Sequence, residues 1–110
     1  MFKLVEDYRH NYPNKNVKDI IEIFISQHER EYTFKVGITG RDPVHKYWEY
    51  SKYDRMILVY STTSDRYEED IKPFSLESHK KLKDIWLGVD NLEETGEVYV
   101  YFILNKIKVF

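Results

Sequence analysis

The sequence predicts a small α+β domain in which strands alternate with helical segments. Runs rich in β-branched and aromatic residues indicate three strands, at Tyr32–Thr39, Arg55–Thr62 and Glu97–Leu104. Between the first two, Asp42 and Pro43 are typical of a helix start, with Asp as the N-cap and Pro at the first helical position. We therefore expect a single domain over 1–110 with a mainly antiparallel sheet of three to four strands flanked by helices.

The segments before residue 32 are less sharply patterned. Residues 1–16 are mostly polar and predict an N-terminal arm that ends in a turn, with room for one short helix. Within 17–28, Val17, Phe24 and their apolar neighbours recur at helical spacing, whereas the Ile-rich composition of Ile20–Ile25 favours a buried strand. The residues alone leave helix and strand equally open here.

After residue 42, the spacing predicts two helices and two acidic loops. The first helix is expected to run from Pro43 to about Lys52. Residues 64–72 and 90–96 are acidic and predict loops, the former with a partial helical turn. Residues 73–87 predict the longest helix, which Gly88 would end, and 97–110 is expected to form the C-terminal strand region.

Composition restricts the class of protein. The 110 residues are 42% hydrophobic and 16% aromatic, which is enough for one buried core. The chain has no Cys, so disulfides, cysteine catalysis and Cys-ligated metals are excluded. No apolar run approaches the roughly 20 residues of a membrane span, and Met1–His10 lacks the apolar centre of a signal peptide. We expect a cytoplasmic or intracellular protein with no membrane partner. The Cys-free composition, rich in Tyr and Lys, would suit a viral or phage protein.

Charge is unevenly distributed along a chain whose formal net charge is −2. Cations concentrate in 32–55 and 72–83, and acids concentrate in 65–70 and 90–97. If the two basic stretches meet in space, they form a face that binds anions. The alternative is that they are ordinary solvated surface.

The segment Phe34–Pro43 resembles the second motif of the GIY-YIG nuclease superfamily, in the branch whose motif contains Lys-Ile-Gly. The resemblance covers about 20–87. In that family two strands form a hairpin, followed by a helix, a third strand and a helix that carries an acidic residue. The resemblance therefore implies a strand at Ile23–Ile25, with Gln27–Glu31 as the hairpin loop.

The resemblance also implies a small nuclease that cleaves phosphodiester bonds with Mg²⁺ or Mn²⁺. Glu77 matches the metal-ligating Glu of the family. Lys46 and His45 stand where the family has an Arg on the first helix, and Tyr32 is the nearest substitute for the motif Tyr. Phe24, at the place of the first motif Tyr, has no hydroxyl. The ordinary alternative for Glu77 is an acid at the start of a helix.

Nucleic acid, with DNA favoured over RNA, is the partner that the resemblance implies, and Lys35, Arg41 and Lys52 are the expected contacts. The missing motif Tyr and Arg favour a degenerate relative that binds nucleic acid or protein without cutting. A third hypothesis is an unrelated binding domain that forms a homodimer through a sheet edge, using the aromatic strand Tyr99–Phe102.

Overall fold

The computed structural model describes residues 5–50 and 52–108. The strands are β1 (Glu6–Asp7), β2 (Tyr32–Thr39), β3 (Arg55–Thr63), β4 (Trp86–Asp90) and β5 (Glu97–Lys106), and the helices are α1 (Val17–His28), α2 (Pro43–Glu49) and α3 (Tyr67–Asp70). Single 3-10 turns lie at Arg9–Asn11, Ser64–Arg66, Lys72–Phe74, Leu76–Ser78 and Lys80–Leu82. The predicted α+β class is confirmed.

The sheet is mixed and has the strand order β1-β3-β5-β2-β4. β5 lies at its centre and is antiparallel to both β2 and β3, whereas β1 is parallel to β3 and β4 is parallel to β2. The expected sheet of three to four mainly antiparallel strands has too few strands. The two that were missed are β1, which has only two residues, and β4, which begins within the helix predicted at 73–87. The aromatic strand Tyr99–Phe102 is central, so its expected place at a sheet edge is wrong.

The ambiguous segment 17–28 is helix α1, and the strand that the resemblance implied at Ile23–Ile25 is wrong. The Asn16 side chain accepts a hydrogen bond from the Asp19 N–H at 2.9 Å and caps the helix. The apolar side chains at helical spacing form one buried face, on which Phe24 stacks against Phe102 of β5. Burial of that face outweighs the β-propensity of the Ile residues.

The long helix predicted at 73–87 is also wrong. The chain instead makes successive 3-10 turns and then enters β4 at Trp86. Ser75 adopts a left-handed conformation with φ 46°, which interrupts any helix, while Leu76 and Leu82 are buried in the core. Gly88 lies within β4 with φ 106° and ends no helix.

The other predicted elements agree more closely with the structure. The three predicted strands form, and α2 begins at Pro43 but ends at Glu49, before Lys52. The N-terminal arm is attached to the sheet, because β1 pairs with β3 and the Tyr8 N–H bonds to the Leu58 carbonyl at 2.8 Å. Residues 1–4 of the arm and 109–110 of the predicted C-terminal strand lie outside the described residues.

The two faces of the sheet are covered differently. The face packed against α1, called the helix face here, holds the larger core; its buried sheet residues include Val36, Ile57, Val100 and Phe102. The opposite face, called the tyrosine face, holds a smaller cluster of Met56, Leu58, Tyr101 and Ile103, with Tyr47, Tyr50 and Tyr53 packed against it. Tyr47 belongs to α2, which therefore packs on the tyrosine face.

Candidate functional site

Lys46 is the best-defined charged group among the predicted site residues. It lies on α2 and is 5% exposed. Its ammonium group donates a hydrogen bond to Asp90 at the end of β4 and lies 3.1 Å from a Glu49 carboxylate oxygen. The other Asp90 oxygen accepts a hydrogen bond from the hydroxyl of Thr39, at the end of β2. The parallel pairing of β2 with β4 thus supplies the carboxylate that compensates Lys46.

This compensation fixes the ionisation of the pair. Burial lowers the pKa of Lys46, but hydrogen bonds to Asp90 and Glu49 outweigh it and raise the pKa above its usual value. Burial raises the pKa of Asp90, but hydrogen bonds from Lys46 and Thr39 outweigh it and lower the pKa. Both groups are charged at neutral pH, so Lys46 is neither a neutral nucleophile nor a free cation for phosphate.

Arg41, a predicted nucleic-acid contact, lies beside this pair. Its guanidinium Nε donates to Glu94 at 3.2 Å, and Nη1 is 4.0 Å from Glu49. Its backbone N–H donates to the Thr39 hydroxyl at 3.0 Å. The guanidinium group of Arg41 is therefore held by two carboxylates, and its backbone is held by the Thr39 hydroxyl.

Tyr101 is a buried hydroxyl that the sequence analysis missed. It is 2% exposed and lies over Gly37, where an added Cβ would be 2.6 Å from the Tyr101 oxygen. Burial, followed by the neighbouring Tyr50, raises the pKa of Tyr101 well above its usual range. The hydroxyl stays protonated. Gly37 of the motif thus has a packing role in this fold.

The predicted catalytic and metal-binding residues are not brought together. Tyr32 packs against the helix-face core, and its hydroxyl accepts a hydrogen bond from Arg55 at 3.1 Å. Glu77 is exposed on the Leu76–Ser78 turn, which is also anchored in the helix-face core. His45 and Lys46 lie on α2 over the tyrosine face. The sheet therefore separates the predicted metal ligand from the predicted phosphate-binding groups.

These positions do not fit a shared divalent-metal site for Glu77 and the α2 residues. Mg²⁺ can be held by one carboxylate with waters and phosphate oxygens, but the phosphate then lies at that carboxylate. The turn that carries Glu77 packs on the opposite face of the sheet from α2, and the described residues contain no group of three or more His, Asp or Glu arranged to hold a metal. Metal binding by Glu77 stays a prediction.

Free cations collect at one end of the sheet, called the basic end here, where β2, β3 and β4 begin and β5 ends. Besides Arg55, the cations of this end are Arg30, Lys35, Lys52, Lys80, Lys81, Lys83, Lys106 and Lys108. The carboxylates of the same segments are Glu29, Glu31, Asp54 and Asp84. Within the described part of the chain, none of these eight cations forms an ion pair, whereas Arg55 is paired with Glu6 at 2.6 Å. Two of the three predicted nucleic-acid contacts, Lys35 and Lys52, are among them.

The opposite end, called the acidic end, is formed by the segments that follow β2, β3 and β4. Its cations are each paired: Arg41 and Lys46 as described, Arg66 with Asp70 at 3.0 Å, and Lys72 with Glu68 at 3.0 Å. The acidic segments 65–70 and 90–97 meet here, because the Ser64 N–H bonds to the Gly96 carbonyl at 3.0 Å. The two acidic stretches of the sequence therefore form one surface.

A groove of about 480 Å³ opens on the helix face beside the basic end. It lies between the last turn of α1, the start of β2 and the segment 81–85. Its lining residues are Ile25, Ser26, Glu29, Tyr32, Thr33, Phe34, Lys81 and Ile85. The sequence analysis missed it, because 81–85 was expected to be helical.

No family model, curated protein or solved structure matches this chain. Among the described residues, none of the helices has the length and apolar character needed to cross a membrane.

Proposed function

We propose that this domain binds nucleic acid through its basic end and does not hydrolyse it. The observation that carries the proposal is the sorting of charge between the two ends of the sheet. Apart from Arg55, which is paired with Glu6, the cations at the basic end have no carboxylate partner in the described chain, whereas those at the acidic end are all paired. A polyanion is attracted to the first end and repelled from the second, so the net charge of −2 does not prevent binding.

Aromatic side chains near the same end favour a single strand. Tyr32 and Phe34 line the groove, and Tyr53 follows Lys52 at the edge of the tyrosine face. Single-stranded nucleic acids are commonly bound by cations that follow the backbone and by rings that stack with the bases. Both DNA and RNA offer this combination, and DNA is the first ligand to test.

We place binding without cleavage ahead of cleavage because the polar side chains at the motif are either buried or already paired with carboxylates. Lys46, at the place of the family Arg, is compensated by Asp90 and Glu49. Tyr101, the tyrosine hydroxyl nearest to Gly37 of the motif, is 2% exposed. Neither group has the access to water and phosphate that hydrolysis requires.

A metal-dependent nuclease of the GIY-YIG type is the second candidate, and one observation favours it. The family pairs its motif strand with a second strand that carries a Tyr. Here β5 is antiparallel to β2 and carries Tyr99 and Tyr101. The hairpin partner then comes from the C-terminal part of the chain instead of from 20–25.

Fluorescence anisotropy with labelled single-stranded DNA, single-stranded RNA and duplex DNA over a range of salt concentrations tests the binding proposal. The variant K35A/K52A/K106A removes three free cations of the basic end. The matched control K18A/R66A/K72A removes three cations that lie elsewhere, Lys18 in the first turn of α1 and Arg66 and Lys72 at the acidic end. We expect the first to weaken binding at least tenfold and to reduce the salt slope by about 2, at about 0.7 per phosphate contact on a single strand. Equal effects of the two variants, or no binding by the folded protein, would contradict the proposal.

A cleavage assay on plasmid and single-stranded DNA with Mg²⁺ or Mn²⁺ separates the two candidates. We expect no cutting by the native chain under conditions in which it binds. Cutting that requires metal and disappears in E77A, with binding retained, would establish the nuclease instead.

A further inference from the structure

We propose that the groove on the helix face takes one unpaired base of the bound strand, with Lys81 on the adjoining phosphate. This inference rests on the proposed function and adds a specific subsite to it. It is carried by the shape of the groove, by an unpaired stretch of strand edge within it, and by the charges at its mouth.

The walls of the groove suit a flat ring. Ile25, Phe34 and Ile85 provide apolar surface from three different segments. The volume of about 480 Å³ lies in the range of small-ligand sites and exceeds what a single side chain would fill. An aromatic base buries both faces there, as bases do when they stack on protein rings.

The edge of β2 offers hydrogen bonds to such a base. The Val36 N–H points toward β4, because it donates to the Ile85 carbonyl at 2.9 Å. Peptide groups two residues apart on a strand point the same way, so the N–H and C=O of Phe34 also face this side. β4 pairs with β2 only from Val36 onward, and in the described chain no hydrogen bond joins Phe34 to the 81–85 segment. One donor and one acceptor therefore face the groove, which matches the hydrogen-bonding edge of a base.

Charged side chains at the mouth of the groove would set the orientation of the bound nucleotide and the type of base that is preferred. Lys81 lines the groove, is exposed and has no ion-pair partner in the described residues, so it is available to a phosphate. Glu29 lies on the rim and accepts hydrogen bonds only. A base with an exocyclic amino group, which adenine, cytosine and guanine have, is therefore favoured over thymine or uracil.

Ser26 allows the groove to be filled without disturbing the core. Its side chain is exposed on α1, and its hydroxyl bonds only to the Ile23 carbonyl of its own helix. S26W places an indole at the mouth of the groove. Q27W is the matched control, because Gln27 is also exposed on α1 but does not line the groove.

The test compares an oligodeoxyadenylate with the same strand made abasic, so that phosphates are equal and bases are absent. For the native chain we expect the abasic strand to bind about tenfold more weakly, in keeping with about 1–3 kcal/mol per stacked base. S26W should bind both strands at the weaker level with an unchanged salt slope, and Q27W should behave as the native chain. K81A should reduce the salt slope by about 0.7.

The outcomes separate this inference from the proposed function. If the native chain binds both strands equally and S26W has no effect, while K35A/K52A/K106A still weakens binding, the subsite is overturned and the proposed function stands. If no nucleic acid binds, both are overturned. NMR shifts at Ser26, Thr33 and Phe34 on adding adenosine monophosphate would support the subsite, whereas shifts there with an acidic peptide and none with the nucleotide would overturn it.

Discussion

The two ends of the sheet use the same kinds of side chain for opposite purposes. At the acidic end, Lys46 is buried between Asp90 and Glu49 and joins α2 to the ends of two strands. At the basic end, Lys81 lies at the mouth of a groove with no carboxylate partner among the described residues. The two lysines therefore differ in whether a carboxylate compensates them. We expect substitutions at the acidic end to change stability and those at the basic end to change binding.

The largest effect on stability is expected for G40A at the acidic end. The Gly40 N–H bonds to the Asp90 carbonyl at 3.0 Å, and an added Cβ would lie 1.9 Å from the Asn91 carbonyl oxygen. Because both contacts are to backbone, the loop after β4 must move, at a cost of about 3 kcal/mol. Urea denaturation measures this cost. G96A is the control: its Cβ meets nothing within 4 Å, so only the strain of φ 85° remains, about 1 kcal/mol. Equal losses in the two variants would contradict the prediction.

The next effect is expected for D90N, which removes the carboxylate of the compensated pair. A buried ion pair that loses one partner commonly costs about 3–5 kcal/mol, but the Asp90 side chain is 40% exposed, so we expect about 2 kcal/mol. K46M keeps the buried stem, leaves a carboxylate that can be hydrated, and should cost less than D90N. Because D90N leaves Lys46 with Glu49 as its remaining carboxylate, a larger loss in K46M by the same denaturation measurement would argue against incomplete compensation of the lysine as the cause.

Acid should weaken the structure through the carboxylates with lowered pKa values. A side-chain hydrogen bond from Arg9 lowers the pKa of Asp7 from 3.8 to about 2. The stabilisation that Asp7 gives is therefore complete above about pH 4 and is lost as the pH falls toward about 2. We expect the melting temperature of the native chain to fall over this range, and that of D7N to fall less. Parallel curves for the two proteins would show that the Asp7–Arg9 pair does not contribute.

The smallest effect on stability is expected for K35A and K52A at the basic end. Neither lysine has an ion-pair partner in the described chain, so each substitution should change the free energy of unfolding by less than about 0.5 kcal/mol. Thermal denaturation measures this, and the anisotropy assay should still show weaker binding. A loss comparable to that of D90N would mean that these lysines also support the fold.

The sequence predicts an element correctly where the local residue pattern and the packing in the fold favour the same structure. β2 and β3 are rich in β-branched residues, are buried and were predicted closely. The 73–87 segment has helical spacing, but Leu76 and Leu82 reach the core from separate 3-10 turns, an arrangement that no periodicity encodes. The partner of Lys46 could not be predicted either. Asp90 lies 44 residues away and meets it only because β4 pairs in parallel with β2.

The central position of β5 has a consequence for synthesis on the ribosome. β2 and β3 have no pairing with each other, and each is joined to the rest of the sheet through β5. Until residues 97–106 have left the ribosome, the two halves β1–β3 and β2–β4 have no strand to connect them, and their facing edges stay open. Such long-range pairing delays folding and exposes strand edges to other chains. We expect the domain to close only after β5 has emerged, so that deletion of residues 97–106 would leave two unjoined halves.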